Sequence, residues 1–82
     1  MRLELRGIGP AIIRSYLIDL GAVETGAGAL AGDDWTATVE AGEPIPIGAL
    51  RIGLTIVTFA GDDAATRRVV AALKEKTIRA GG

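Results

Sequence analysis

The sequence contains no cysteine and no histidine. The absence of cysteine excludes disulfide cross-links and thiolate nucleophiles, and the absence of both residue types excludes the usual zinc sites. Without imidazole, the commonest acid–base group at neutral pH is missing as well. We therefore expect a protein that is not an enzyme, with no catalytic residues, no cofactor and no bound metal.

Aromatic residues are also scarce. Tyr16, Trp35 and Phe59 are the only ones among 82 residues, so small and branched aliphatic side chains have to form the core. A chain of this length is expected to form a single α+β domain, residues 1–82, that buries only about 60–65% of its unfolded surface. Because no disulfide or zinc site adds stability, we expect the protein to gain buried area by self-association as a dimer.

Neither sign of charge is in clear excess. Nine Lys and Arg residues and ten Asp and Glu residues give a net charge of −1 at pH 7. Proteins whose main role is to neutralise phosphates carry a basic excess, so the composition argues against nucleic acid as the main partner. No apolar run approaches the about 20 residues of a membrane span, and we expect a cytoplasmic protein with no membrane association.

The spacing of apolar residues predicts the fold class. Arg2 to Arg6 alternates polar and apolar residues, which indicates a strand with one buried face. Pro10 to Leu20 repeats apolar residues at helical spacing, and Gly21 supplies a helix stop. Gly61-Asp62-Asp63 begins a last helix with an aspartate as its N-cap. The predicted order is β-α-β-β-β-β-α, an antiparallel sheet with both helices on one face.

The middle of the chain is predicted to supply most of the strands. Val23 to Leu30 contains two glycines that suggest a bulge, and Glu43 to Ile47 contains two prolines that cannot donate ladder hydrogen bonds. We expect these two segments to be the edges of the sheet. Trp35 to Glu40 alternates cleanly, and Leu50 to Phe59 is the strongest predicted strand. The residues of this last strand predicted to face inward are Leu50, Ile52, Leu54 and Ile56, followed after a change of parity by Val57 and Phe59.

Several local patterns resemble a small family of unknown function. These patterns are Leu3-Glu4-Leu5-Arg6-Gly7-Ile8 ahead of a helix, the strand from Trp35, Ile47-Gly48-Ala49-Leu50-Arg51-Ile52-Gly53, Phe59-Ala60-Gly61-Asp62 and Arg79-Ala80-Gly81-Gly82. That family is related to the C-terminal domain of proteins similar to the small, sulphur-carrying subunit of molybdopterin synthase. The resemblance implies one half of the TATA-box-binding-protein-like fold, in which an antiparallel sheet curves around a long terminal helix. It also implies a link to molybdenum cofactor biosynthesis or sulphur transfer.

This sequence departs from the sulphur carriers themselves at its start. In the related proteins, the sulphur-carrying function belongs to a ubiquitin-like domain, which begins with a β-hairpin ahead of its helix. Here a helix is predicted directly after the first strand, from Pro10. The resemblance therefore implies a pathway for this chain rather than an active site.

The sequence ends with Gly81-Gly82, which raises a chemical alternative. A diglycine carboxylate is narrow and flexible enough to enter the active site of an activating enzyme, so Gly82 could be an activated C-terminus. Glycines also commonly follow the end of a helix, where the chain frays. The second interpretation requires no further chemistry and is preferred.

The last predicted helix suggests an interaction surface. Arg67, Arg68 and Lys74 could form a basic face, and Trp35 could add apolar area at a partner interface. No aromatic residue interleaves with these cations to stack bases, so a solvated helix face is the simpler interpretation. Gly7-Ile8-Gly9-Pro10 is likewise interpreted as a strand-to-helix turn rather than as a phosphate-binding turn.

Two acidic pairs, Asp33-Asp34 and Asp62-Asp63, are interpreted as turn and helix-cap residues rather than as acid–base or metal-binding groups. Three functions then stay open. The preferred one is a non-catalytic accessory or binding domain linked to molybdenum cofactor biosynthesis or sulphur transfer, with a protein partner in sulphur transfer or molybdopterin synthesis. The alternatives are a sulphur carrier or protein modifier activated at Gly82 and a weak nucleic-acid-binding module.

Overall fold

The computed structural model describes residues 1–79. Its strands are β1 (Arg2–Arg6), β2 (Val23–Gly26), β3 (Ala29–Gly32), β4 (Trp35–Ala41), β5 (Ile45–Ile47), β6 (Leu50–Ile52) and β7 (Leu54–Gly61), and its helices are α1 (Pro10–Asp19) and α2 (Asp63–Arg79). Five strands form an antiparallel sheet in the order β1-β7-β4-β3-β2, and β5 and β6 form a separate two-stranded ribbon. Both helices pack on one face of the larger sheet, which confirms the predicted α+β fold class.

The central strands β4 and β7 divide the sheet into two faces with different environments. We call the side beneath the helices the covered face. Its buried residues on these two strands are Trp35, Ala37, Val39, Thr55, Val57 and Phe59. We call the opposite side the open face. By strand register its residues on β1, β3, β4 and β7 include Arg2, Glu4, Arg6, Ala29, Ala31, Thr36, Thr38, Glu40, Leu54, Ile56, Thr58 and Ala60.

Helix α1 begins at Pro10, where the missing proline N–H costs no hydrogen bond. Its buried residues are Ile13 and Leu17, four positions apart on one side of the helix. The helix ends before Gly21, which has a φ of 104° that an L side chain rarely adopts. The amphipathic helix predicted from Pro10 therefore forms, and it places two fully buried side chains over the covered face.

Helix α2 is the longest element and crosses the covered face. The Ala65 N–H donates to Asp62 Oδ2 at 2.9 Å, which confirms the predicted aspartate cap. The buried side of α2 consists of residues at helical spacing: Ala65, Thr66, Val69, Val70, Leu73 and Thr77. Leu73 is completely buried, and burying a leucine side chain contributes about 1.5–3 kcal/mol.

The segment predicted as a bulged strand from Val23 to Leu30 forms most of a hairpin, with β2 and β3 joined through Gly28. The register shifts between Glu24 and Gly26, as the predicted bulge requires. Gly28 has a φ of 71°, and a Cβ there would lie 2.7 Å from the Val39 carbonyl oxygen. β2 is one edge of the sheet, as predicted.

The prediction that Glu43 to Ile47 forms the other edge is wrong. β5 pairs only with β6, and β1 is the second edge strand of the five-stranded sheet. Within the ribbon, Pro46 lies opposite Arg51. Because proline cannot donate a ladder hydrogen bond, this segment suits a short ribbon rather than an added strand of the main sheet.

The run from Leu50 to Phe59 is not one strand, because Gly53 separates β6 from β7. The inward-facing assignment is correct for Val57 and Phe59 but wrong for Leu54 and Ile56, which lie on the side opposite these two buried residues. Leu50 and Ile52 belong to the ribbon, and Leu50 is 69% exposed. The covered-face position is taken instead by Thr55, which is 1% exposed. The pairing of β7 with β4 and β1 decides which alternate residues of β7 face the helices. The alternation of residues along the sequence does not reveal this choice.

Candidate interaction surface

Trp35 lies in the core at the start of β4 and is only 6% exposed. Its indole lies directly over Gly32 on the neighbouring strand, where a Cβ atom would be 2.0 Å from Trp35 Cε2. The Phe59 ring lies beside it, with 6.1 Å between ring centroids and a tilt of 54°. The structure therefore uses Trp35 mainly to fill the covered face, and little of its area is presented to a partner.

The predicted basic residues of α2 point in different directions. Seven positions separate Arg67 from Lys74, which puts both on one side of the helix, whereas Arg68 is turned about 100° from Arg67. All three residues are exposed. Arg67 pairs with Asp63 at 2.6 Å, four residues earlier. Within residues 1–79, neither Arg68 nor Lys74 forms an ion pair.

The remaining cations near the end of α2 form local contacts. Arg79 pairs with Glu75 at 2.6 Å. Lys76 lies 3.7 Å from Asp19 of α1, and its Nζ is 5.7 Å from the centroid of the Tyr16 ring. These contacts connect the helices and partly neutralise the basic residues, so α2 does not present a single basic face.

Arg68 and Trp35 meet at a shallow pocket of about 300 Å³. Asp33 also lines this pocket, and the other lining residues are apolar: Leu20, Ala65, Val69 and Ala72. Of the four predicted surface residues, these two are the ones brought together. The prediction that Trp35, Arg67, Arg68 and Lys74 bind a partner stays a prediction.

A second pocket, of about 330 Å³, lies where β1 turns into α1. Gly7, Gly9 and Pro10 of this turn line it, together with Gly53 and Leu54. No charged side chain of the described residues lines it. Gly7 has a φ of 77°, and its N–H donates to the Gly53 carbonyl at 2.9 Å. This is the predicted strand-to-helix turn.

The acidic pairs have the local roles that their sequence context predicts. Asp62 caps α2, and Asp63 pairs with Arg67. Asp34 has a φ of 66° in the turn between β3 and β4, a conformation that aspartate tolerates better than most residues. Among residues 1–79, no cluster of three or more His, Cys, Asp or Glu residues could hold a metal ion.

Neither helix in the described part of the chain is both long and apolar enough to cross a membrane. The predicted activated C-terminus, Gly81 and Gly82, lies outside the described residues.

The open face is a candidate surface that the sequence did not identify residue by residue. Its central rows run across three strands and consist of small or β-branched side chains: Ala31, Thr36 and Ala60 in one row, and Ala29, Thr38 and Thr58 in the next. The threonines of both rows are exposed. Alternation within Trp35 to Glu40 contained this signal, but the register between strands was needed to place the rows side by side.

The family model described as "Archaeal MoaD-like protein" matches residues 1–82. The chain belongs to this family. The match covers the whole sequence and confirms the resemblance to proteins related to the sulphur-carrying subunit of molybdopterin synthase. No curated protein matches the sequence.

The described fold nonetheless begins as predicted, with one strand and then a helix. β1 leads through Gly7 and Gly9 into α1, and no β-hairpin precedes this helix within the described residues. Its first strand pairs with the last one, β7, in antiparallel orientation. The family membership therefore indicates a relation to sulphur carriers, and the described fold starts differently from the ubiquitin-like carrier domain.

Proposed function

We propose that this chain is a non-catalytic accessory domain that binds a protein partner in molybdopterin synthesis. The family match supports the pathway, because the family is named for its likeness to the sulphur-carrying subunit. The observation that carries the binding role is the open face, a five-stranded surface that neither helix covers. Antiparallel sheets commonly leave one face uncovered. The residues on this face therefore have to indicate which class of partner it can bind.

The centre of the open face suits close contact with another protein surface. Thr36, Thr38 and Thr58 are exposed and stiff at χ1, so ordering them on binding costs little side-chain entropy. Each hydroxyl can donate and accept a hydrogen bond. Alanines lie beside these threonines across the strands, which keeps the surface flat.

Charges of both signs border this centre. Arg2 lies beside Thr58, whereas Glu4 and Glu40 lie on either side of Ile56 in the next row. A phosphate backbone would favour a surface of positive charge, so the mixed signs favour a protein partner over nucleic acid. We expect this partner to be a subunit of molybdopterin synthase.

Direct binding measurements test this proposal. The purified chain is titrated with each purified subunit of molybdopterin synthase from the same organism, and the dissociation constant is measured. Ala60→Arg places a long charged side chain at the centre of the open face and is expected to weaken binding at least about tenfold, or 1.4 kcal/mol. Ala71→Arg is the matched control, because Ala71 is exposed on α2 and away from the open face.

Two outcomes contradict the proposal. One is that neither subunit binds the wild-type chain. The other is that a subunit binds but Ala60→Arg leaves its dissociation constant unchanged, which would place the contact elsewhere. Circular dichroism of both variants checks that each substitution leaves the fold intact.

A second candidate is activation of the Gly82 carboxylate, which the family likeness to a sulphur carrier also favours. Its test is the intact mass of the protein purified from its native cells, with fragmentation of the C-terminal peptide. A sulphur atom in place of a terminal oxygen, or an adduct on Gly82, is the expected result. If molybdopterin synthesis is unimpaired when the chain lacks Gly81 and Gly82, activation at Gly82 is ruled out. The binding proposal is unaffected by that result.

A further inference from the structure

β1 is an edge strand that presents regular hydrogen-bonding groups to solvent. Met1 and Phe59 exchange two hydrogen bonds: the Met1 amino group donates to the Phe59 carbonyl at 2.9 Å, and the Phe59 N–H donates to the Met1 carbonyl at 2.7 Å. The Gly7 N–H donates to the Gly53 carbonyl. Hydrogen bonds to a neighbouring strand alternate along an antiparallel strand. The backbone N–H and C=O groups of the odd-numbered residues of β1 therefore point toward β7. The backbone groups of Arg2, Glu4 and Arg6 therefore point outward.

The side chains of the same three residues alternate in charge along the open face. Arg2 lies 3.3 Å from Glu4 in its own strand. Arg6 forms no ion pair within residues 1–79. An edge with charges of a single sign would repel a second copy of itself, whereas a +/−/+ series shifted by two residues against its own reverse brings opposite charges together.

An apolar groove of about 220 Å³ follows this edge on the helix side. Its lining residues are Leu5 and Arg6 of β1, Ile8 of the following turn, and Thr77 and Ile78 of α2. Ile78 is 73% exposed. Apolar area beside an unpaired strand edge gains about 25 cal/mol for each Å² that a partner removes from water.

The opposite edge of the sheet lacks these features. β2 contains a register shift between Glu24 and Gly26, which interrupts its hydrogen-bonding pattern. All four of its residues are exposed, and the strand contains a single charged residue, Glu24. A bulged and glycine-containing edge is a poor template for a further strand.

We propose that a second copy of this chain pairs with β1, in antiparallel orientation, about a two-fold axis through Leu5. Glu4 then faces the partner's Arg6, and Arg6 faces the partner's Glu4. Leu5 faces the partner's Leu5 on the covered side, beside both grooves. The two five-stranded sheets become one continuous sheet, and their open faces join. This dimer goes beyond the proposed partner binding and does not depend on it.

The charges and the groove select this register among its neighbours. An axis through Glu4 would place Glu4 opposite the partner's Glu4, and like charges directly opposite each other are destabilising. An axis through Leu3 would pair Glu4 with the partner's Arg2. It would leave Arg6 unpaired and the groove beside Leu5 outside the interface. In the register with the axis through Leu5, Arg6 lies opposite a carboxylate of the partner and Ile78 lies within the interface.

Sedimentation of charge variants over a range of concentrations tests the pairing. Glu4→Arg and Arg6→Glu each place like charges opposite each other and are expected to weaken the dimer at least about tenfold. The two substitutions together restore the opposite-charge pairs of the register about Leu5, so the double variant is expected to recover most of the lost affinity. Arg51→Glu is the control for Arg6→Glu, with the same change of charge at an exposed position of β6, outside the main sheet.

A disulfide trap tests the register directly, because the sequence has no cysteine of its own. Leu5→Cys places two thiols across the axis at a non-hydrogen-bonded position, where Cα atoms are about 4.5 Å apart and a disulfide is geometrically allowed. Mild oxidation is expected to cross-link Leu5→Cys and not Leu3→Cys. Preferential cross-linking of Leu3→Cys, or a wild-type mass that stays monomeric at every concentration, would overturn the proposal.

Discussion

Thr55 and Thr58 are the same residue type in the same strand, but they lie on opposite faces of the sheet. Thr55 is 1% exposed on the covered face, and its hydroxyl donates to the Ile8 carbonyl at 2.6 Å. Thr58 is exposed on the open face, between Arg2 and Thr38 on the neighbouring strands. The comparison shows that strand parity, rather than residue type, decides whether a side chain stabilises this fold or is free to contact a partner.

The two faces also differ in how much their side chains are constrained. The covered face packs two aromatic rings and two helices around fully buried residues such as Leu17 and Val57. The open face has small side chains with no helix above them. Substitutions on the covered face should therefore change stability, whereas those on the open face should change binding and leave the fold intact.

The largest expected effect comes from the helix that covers the sheet. Leu73→Ala removes a completely buried side chain, and we expect the free energy of unfolding to fall by about 3 kcal/mol. Ile78→Ala is the matched control on the same helix at concentrations where the chain is a monomer, because Ile78 is 73% exposed in the single chain and its loss should cost less than about 0.5 kcal/mol. Urea denaturation of both variants measures the difference. Similar losses for the two would mean that Ile78 is buried in solution, as in the proposed dimer.

That last outcome depends on concentration, which separates the two explanations. If the Ile78→Ala loss grows as the protein concentration rises, the lost contacts lie between protomers. If the loss is constant across concentrations, Ile78 contributes within a single chain. The loss of unfolding free energy caused by Leu73→Ala should be the same at every protein concentration, because Leu73 is buried within a single chain.

The next effect in size concerns the close approach of Trp35 to the neighbouring strand. Gly32→Ala would place a Cβ atom 2.0 Å from Trp35 Cε2, so the indole or the strand has to move. We expect a loss of about 1–3 kcal/mol, the usual range for overpacking a core. Gly26→Ala is the control, since its Cβ would meet only the Ala29 Cβ at 4.0 Å. Thermal unfolding followed by Trp35 fluorescence reports both stability and the position of the ring. An unchanged transition for Gly32→Ala would contradict the packing described for Trp35.

The elements with strong local signals were predictable from the sequence. Pro10 and Gly21 mark the two ends of α1, Asp62 caps the start of α2, and alternation places Trp35, Ala37 and Val39 on one face. Each of these features depends on residues that are neighbours in sequence. The relative directions of Arg67, Arg68 and Lys74 also follow from 100° per residue, so their failure to form one basic face was predictable.

The features that were not predictable depend on contacts between distant segments. Gly53 divides Leu50 to Phe59, and pairing with β1 and β4 then decides that Thr55 rather than Ile56 faces the helices. The sequence alone permits either parity, because apolar residues occupy both sets of positions. The rows of the open face require the same long-range register. For this reason the candidate surface could be described only from the assembled sheet.

The smallest expected effect tests the opening comparison most directly. Thr55→Val keeps the shape of the side chain but leaves the Ile8 carbonyl without its hydroxyl donor, so we expect a loss of about 1–2 kcal/mol. Thr58→Val makes the same chemical change three residues later, where no described hydrogen bond is lost, and should stay within about 0.5 kcal/mol of wild type. Chemical denaturation at one protein concentration gives both values. Because valine and threonine have similar strand propensities, the difference between the variants isolates the buried hydrogen bond. Equal effects at the two positions would show that the faces are less distinct in solution than their burial indicates.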